Sequence, residues 1–365
     1  MDKTIPLFKV FMPESVLGSL GETLLSGYLS QGKKVKEFES ALMRRLQTDS
    51  LVTVGNGTAA LHLALRLIGV GPGDEVLSSP LTCTATNWPI FLAGADIKWC
   101  DVELSTCNIS VEEIRKSITP RTKAIMAVHW GGYPCDLDGL RLISEEFGIP
   151  IIEDCAHSFG GSYNDIPLGA SGNYCAFSFQ AIKHLTTVDG GCLAVPEGQL
   201  KRAKLLRWYG IDREDTGKTD FRCEADISEV GDKLHMNDVA ATIGLEQLDY
   251  VDGIIATHKA NAQFYFDTLA GVAGVDLLEN KHDSAAWLFT LKVGGRDNFS
   301  RCMKDRGVMT SRVHERNDKH SCVARFSRDL PNVDELSATM VCIPVGWWVT
   351  PEVREYIVDC IKAGW

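Results

Sequence analysis

Lys183 lies in Phe177-Ser178-Phe179-Gln180-Ala181-Ile182-Lys183, after a short apolar run and before the turn Gly190-Gly191. An ε-amine at the mouth of an apolar core loses hydration. That favours its neutral, nucleophilic form and suits it to a Schiff base with a carbonyl. A lone lysine is ordinarily a solvated surface charge, so the reading depends on two further stretches. Pro150-Ile151-Ile152-Glu153-Asp154-Cys155-Ala156-His157-Ser158 reads as a buried strand ending in carboxylates. In an open α/β sheet an acid at a strand's carboxyl end faces the ligand crevice, and an aspartate paired with a pyridine nitrogen keeps that ring an electron sink. Val54-Gly55-Asn56-Gly57-Thr58-Ala59-Ala60-Leu61 runs from small turn residues straight into an apolar helix. Its free N–H groups and dipole make a phosphate cradle at Gly57 and Thr58, with the Thr58 hydroxyl as a further donor or an N-cap. Lysine, acid and cradle are the three groups that pyridoxal 5'-phosphate requires.

The elements that must position them follow from the hydrophobic pattern. Residues 13 to 46 read as two helices around the polar turn Ser26-Gly27-Tyr28-Leu29-Ser30-Gln31-Gly32, with Leu17, Leu20, Leu24 and Leu25 at helical spacing. From 95 to 152 strands alternate with helices, among them one after Ser110 and one from Asp136 to Phe147. That βαβ rhythm demands a mostly parallel sheet with helices on both faces. Gly69-Val70-Gly71-Pro72-Gly73-Asp74 follows a helix and precedes a strand. This is the reverse of dinucleotide-binding order, so it is a turn, and a nicotinamide-dependent sugar reductase is disfavoured. A helix is expected over 197–208, and a long surface loop over Ile211 to Lys233. A long helix from Asp238 to Leu269 then connects to strands at Trp287 to Val293 and Val308 to Val313, and to helices at Asn298 to Arg306 and Pro351 to Ala363. The fold class is therefore α/β with two domains. Residues 1–252 form a large domain with an N-terminal helical segment, and residues 253–365 a smaller C-terminal α/β domain.

At 365 residues, 45% hydrophobic and 23% charged, the composition is that of a globular protein. A net charge of −11 argues against a nucleic-acid partner, which would require clustered Lys and Arg. Twelve cysteines without a C-x-x-C pair carry no zinc signature and are too sparse for a disulfide scaffold, and no metal is expected. Met1-Asp2-Lys3-Thr4-Ile5-Pro6 lacks a signal peptide's apolar core, and no apolar run spans a membrane. A cytoplasmic protein with reduced thiols is the expectation. His129 reads as a structural histidine, and Asp189 as part of the turn before Gly190-Gly191.

In its ordered motifs the chain resembles the sugar aminotransferases of the DegT/DnrJ/EryC1/StrS family. These are fold-type I pyridoxal phosphate enzymes related in fold to aspartate aminotransferase. The resemblance runs from Ser30-Gln31-Gly32 to Met236-Asn237 and is carried by Asn56-Gly57-Thr58-Ala59-Ala60-Leu61-His62, Gly71-Pro72-Gly73-Asp74-Glu75-Val76, Ile118-Thr119-Pro120-Arg121-Thr122, Glu153-Asp154 and the Lys183 stretch. It implies that Lys183 and Asp154 are catalytic and that Ser178 donates to the cofactor phosphate. His157 either bonds the cofactor's 3-hydroxyl oxygen or starts a helix. Asn237 either reaches the phosphate of the other subunit, in a homodimer with shared sites, or caps a helix. Gln31 lies beside the substrate, or its turn merely connects helices. The chain departs from the family at Cys83, three residues before Thr86, where relatives carry Phe or Trp against the cofactor ring. Either Trp88 substitutes or the thiol packs there with less π-surface. His314 and Arg316 follow a strand and could meet the substrate, with surface pairing as the other reading of Arg316. Some family members replace the lysine with histidine and become dehydratases, but here Lys183, not His184, occupies the motif position. The implied activity moves an amino group from glutamate to a nucleotide-linked 4-keto-6-deoxyhexose. The alternatives are a keto-sugar acid as acceptor, or a non-catalytic sensor that keeps the cofactor.

Overall fold

The computed structural model describes residues 4–214, 220, 223, 224 and 226–365. Part of the expected loop over 211–233 thus lies outside the described residues, at 215–219, 221, 222 and 225. Helices α1 (Val16–Leu25) and α2 (Lys33–Leu46) lead into strands β1 (Leu51–Val54), β2 (Glu75–Ser78), β3 (Asp96–Trp99), β4 (Thr122–Val128) and β5 (Ile151–Asp154). Between and after these strands come α3 (Gly57–Ile68), α4 (Thr84–Leu92), α5 (Val111–Ser117) and α6 (Leu137–Phe147). A small hairpin, β6 (Ser162–Tyr163) and β7 (Ile166–Pro167), turns through left-handed Asn164 and Asp165, the backbone a two-residue hairpin needs. Strands β8 (Tyr174–Ser178) and β9 (Gly191–Ala194) follow, then α7 (Leu200–Leu206) and α8 (Asp238–Leu269).

The large sheet has the order β1-β9-β8-β5-β4-β2-β3. It is parallel except for β9, which runs antiparallel to both neighbours. Parallel strands bring their carboxyl ends to one edge, so Val54, Asp154 and Ser178 end along the same edge, with β9 between the first and the others, although about a hundred residues separate them in sequence. The strands are buried on both faces, as a sheet covered by helices on each side demands. Among the described residues no helix is long and apolar enough to cross a membrane.

The C-terminal part builds a second, antiparallel sheet, β10 (Val275–Leu277), β11 (Phe289–Val293) and β12 (Met340–Ile343), with α9 (Arg296–Asp305), α10 (Pro331–Thr339) and α11 (Pro351–Lys362). Helix α8 passes between the two cores. Ala241, Val251 and Ile255 pack with the large sheet, whereas Ala262, Tyr265 and Leu269 pack with the small one.

Two expectations change. Val308 to Val313 is no strand, because its partners are taken one at a time: Val308 bridges to Ile5 and Ser311 to Cys342. The helix expected over 197–208 shortens to α7 because left-handed Gly198 delays its start and Trp208 leaves to bridge Lys233. The leucine stripe of α1 does not enter the core, since Leu17 and Leu25 are 73% and 90% exposed. The first residues instead lie on the C-terminal unit. Ile5 exchanges backbone bonds with Gly307 and Met309, and Trp348 Nε1 donates to Pro6 O at 2.9 Å.

Candidate active site

One cavity of about 350 Å³ opens at the carboxyl edge of the large sheet, lined by the ends of β4, β5 and β8, by the start of α3 and by residues of the C-terminal unit. Lys183 enters it from the turn after β8, where its N–H donates to Gln180 O at 2.9 Å. Its Nζ sits 3.6 Å from the centroid of the Trp287 ring. Burial pushes the Lys183 amine down to about 7, against the upward pull of Asp154 and Cys83. A neutral amine near neutral pH is the form that attacks a carbonyl.

Asp154 closes β5 and is buried. Thr86 Oγ1 donates to its Oδ2 at 2.7 Å and Ala156 N to its Oδ1 at 3.0 Å. Two donors, one on each oxygen, fix the plane of the carboxylate. Its neighbour Glu153 points to the opposite face, as alternation along a strand requires. There it accepts from Ser171 and Asn173 and pairs with His129 Nε2 at 3.0 Å. His129 Nδ1 accepts from Cys135 N, so this histidine is a satisfied structural group.

The cradle is built by close approach. Asn56 caps α3, its side chain accepting from Ala59 N at 2.8 Å. A Cβ placed on Gly57 would meet Ser178 Cβ at 2.9 Å. Only glycine lets the helix start lie this near the end of β8, which leaves the start of α3, Thr58 and Ser178 lining the same cavity. The residues present therefore fit pyridoxal phosphate: an amine, a buried carboxylate, and donors at a helix start.

His157 Nδ1 accepts from Gly131 N at 3.3 Å, which leaves Nε2 as the donor of the neutral ring. Burial, then the charge of Lys183, holds its pKa well below the usual histidine range. Its ring stacks on Trp287 at 4.0 Å and 22°, and Trp287 in turn stacks on Phe8 at 5.1 Å. His314 lies parallel to His157 at 6.0 Å, with its Nε2 buried and unpartnered among the described residues. Burial, then Lys183, pushes His314 down to about 4.

Of the residues singled out in the sequence, the cavity gathers Lys183, Asp154, Gly57, Thr58, Cys83, His157, Ser178 and His314. It does not gather Gln31, Asn237 or Arg316. Gln31 lines a separate cavity of about 670 Å³ and accepts from Arg213 at 3.1 Å. Asn237 is exposed and caps α8, accepting from Ala240 N at 2.9 Å. Arg316 is buried and bidentate on Asp318, at 2.7 and 2.6 Å, with Asp334 as a further partner, so its guanidinium is committed away from the cavity. Trp88 packs on Phe91 and His320 and leaves the Cys83 position without an indole. Asp189, expected only to shape a turn, also lines the cavity.

Sequence reasoning missed Phe8, Gln180 and Trp287, all of which line the cavity. Gln180 was open to inference, because it lies two residues beyond Ser178 and hence on the same face of an extended chain. Phe8 carried no such signal, since the N-terminal segment reaches the site by lying across the C-terminal unit.

An open, mostly parallel α/β sheet whose carboxyl edge joins a lysine to a buried acid and an anion cradle is the arrangement of a fold-type I enzyme. The sequence matches the DegT/DnrJ/EryC1/StrS aminotransferase family over residues 12–362. Among solved structures it is similar to AtS13 from Actinomadura melliaura, at 45% identity and TM-score 0.95, with 100% of each chain covered. It is also similar to the sugar aminotransferase CalS13 from Micromonospora echinospora, at 41% identity and TM-score 0.95, covering 99% of this chain and 100% of that one. Spr1654 from Streptococcus pneumoniae, solved in a PLP form and a PMP form, shares 26% identity with TM-score 0.89 in the PLP form, covering 99% and 98%. The chain belongs to the DegT/DnrJ/EryC1/StrS aminotransferase family. It is a sugar aminotransferase that depends on pyridoxal phosphate.

Proposed function

We propose that this enzyme moves an amino group from glutamate to the ketone of a nucleotide-linked 4-keto-6-deoxyhexose, giving a 4-amino sugar for glycan or polysaccharide synthesis. The observation that carries the site assignment is Lys183: a buried amine held near pKa 7 in one cavity with Asp154 and the Gly57 cradle. When bound, pyridoxal phosphate supplies a carbonyl to carry the amino group and a ring to absorb electrons. In this reading Lys183 binds that carbonyl and, once released, moves the proton at the donor and acceptor carbons. Asp154, oriented by Thr86, holds the proton on the ring nitrogen. Gly57, Thr58 and Ser178 would hold the phosphate, His157 Nε2 would donate to the ring's hydroxyl oxygen, and Cys83 would pack against the ring. His314 contacts the acceptor sugar. Arg316, tied to two aspartates, drops out of that role.

The enzyme in this reading is a cytoplasmic homodimer with shared sites, in which Asn237 of one subunit serves the phosphate of the other. Exposed apolar side chains support the dimer: Leu17 and Leu25 on α1 and Tyr28 in the turn after it. That turn adjoins Asn237, because Asp238 N donates to Leu29 O and Ser30 O at 3.2 and 3.0 Å. Unpaired buried thiols such as Cys100, Cys155 and Cys192 suit a reducing compartment. Keto-sugars linked to different nucleotides, and a free keto-sugar acid, presented with glutamate test the substrate assignment, with products read by mass and by NMR of the aminated carbon. Conversion of the free acid alone would contradict it.

A further inference from the structure

Val188, Ala286 and Val313 have left-handed backbone, with φ of 70°, 51° and 69°, and each immediately precedes a side chain that lines the cavity: Asp189, Trp287 and His314. Such a φ is rare outside glycine and strained for a β-branched residue. Strain of this kind persists only where its surroundings hold it, and it gathers at functional sites.

At Val313 the holding contacts are all visible. His314 N donates to Arg312 O at 2.8 Å, closing a three-residue turn with Val313 at its centre, the strained, positive-φ form of the γ-turn. Val313 N donates to Ser311 Oγ at 2.9 Å, and Ser311 is itself paired with Cys342 of β12. On the far side of His314 the chain is fastened to the large sheet's edge. Asn317 N donates to Pro80 O at 2.9 Å and its Nδ2 to Thr82 O at 2.8 Å, while its Oδ1 accepts from Asn87 Nδ2 at 2.8 Å. Arg316 is locked on Asp318 and Asp334. The anchoring wall also carries the acid's partner, since Thr82 and Thr86 share a hydrogen bond of 2.8 Å and Thr86 donates to Asp154.

We infer that residues 312–318 form a strained clasp, in which the turn at Val313 aims His314 into the cavity and Asn317 fixes it relative to Asp154 and Lys183. Asn317 and Val313 are thereby positioning residues for the acceptor sugar. The inference rests on the reading of His314 as an acceptor contact. Without the clasp His314, which belongs to the C-terminal unit, would be free to shift against a site built on the large sheet. Displacements of about 1 Å are enough to slow a positioned reaction severely.

The test measures the two half-reactions separately, with glutamate as donor and thymidine diphosphate-linked 4-keto-6-deoxyglucose as acceptor, together with Tm. Asn317→Ala lowers Tm, leaves the glutamate half-reaction at the wild-type rate and raises the acceptor KM by about tenfold. Val313→Gly relieves the left-handed strain, so Tm holds or rises although an apolar side chain is lost, and the acceptor KM again rises. The clasp is overturned if Asn317→Ala slows both halves equally, or if Val313→Gly lowers Tm and leaves the acceptor KM unchanged. His314→Ala is the separate control. An unchanged acceptor KM there removes the contact on which the clasp rests, and the clasp with it, while a raised KM with wild-type behaviour in the other two variants removes the clasp alone.

Discussion

At the scale of single residues the chemistry depends on what burial does to Lys183. With the amine held near 7, it loses its proton as pH rises through about 7 and not near 10.5. Cofactor capture by the apoenzyme should therefore accelerate across that lower range, followed by cofactor absorbance. A rate that climbs only near pH 10 would show that the amine is not desolvated. Asp154→Asn keeps the size of the side chain and its contact with Thr86 but removes the charge. It should cost about a hundredfold or more in turnover with little change in Tm, and an unchanged rate would count against the electron-sink role. Which residues do chemistry was legible in the sequence wherever the signal was local. Asp154, Ser178 and Gly57 each end or begin an element, Lys183 lies in the turn just after β8, and parallel strands bring such ends together. Arg316 was not legible, because its partners Asp318 and Asp334 decide its direction and only the folded chain shows them.

At the scale of elements, the close approach of α3 to β8 sets the phosphate end of the site. Gly57→Ala would put a Cβ 2.9 Å from Ser178 Cβ and force the two apart. Overpacking of this kind costs about 1–3 kcal/mol of stability, and the cofactor should bind more weakly in equilibrium dialysis. Wild-type affinity and Tm would contradict the cradle. The alternation of strands and helices predicted the large sheet well, since hydrophobic period and a capping residue such as Ser110 act locally. The stretch at 308–313 misled for the opposite reason. Its apolar, β-branched residues favour a strand, but its bridging partners, Ile5 and Cys342, lie far away in sequence and take one residue each.

At the scale of the molecule, two cores share α8, and a pair of buried histidines sits where they meet. His184 and His258 rings are 4.5 Å apart, and burial lowers both pKa values, that of His258 to about 4. The folded protein keeps both neutral, whereas the unfolded chain takes up protons near 6.5. Their contribution is thus fully present above pH 6.5 and is lost as pH falls toward 4. Tm should drop across that window, and His184→Gln should flatten the drop. A dimer with shared sites predicts that mixing unfolded and refolded Lys183→Ala and Asn237→Ala proteins recovers activity that neither has alone, because a heterodimer contains one intact site. The exposed leucines of α1 are the face that the proposed dimer would cover. Most directly, the central claim is tested by adding pyridoxal phosphate to the protein, reducing with borohydride and mapping the adduct by peptide mass. One phosphopyridoxyl group is expected, on Lys183, and none in Lys183→Ala. A label on any other lysine, or one that persists in Lys183→Ala, would contradict it.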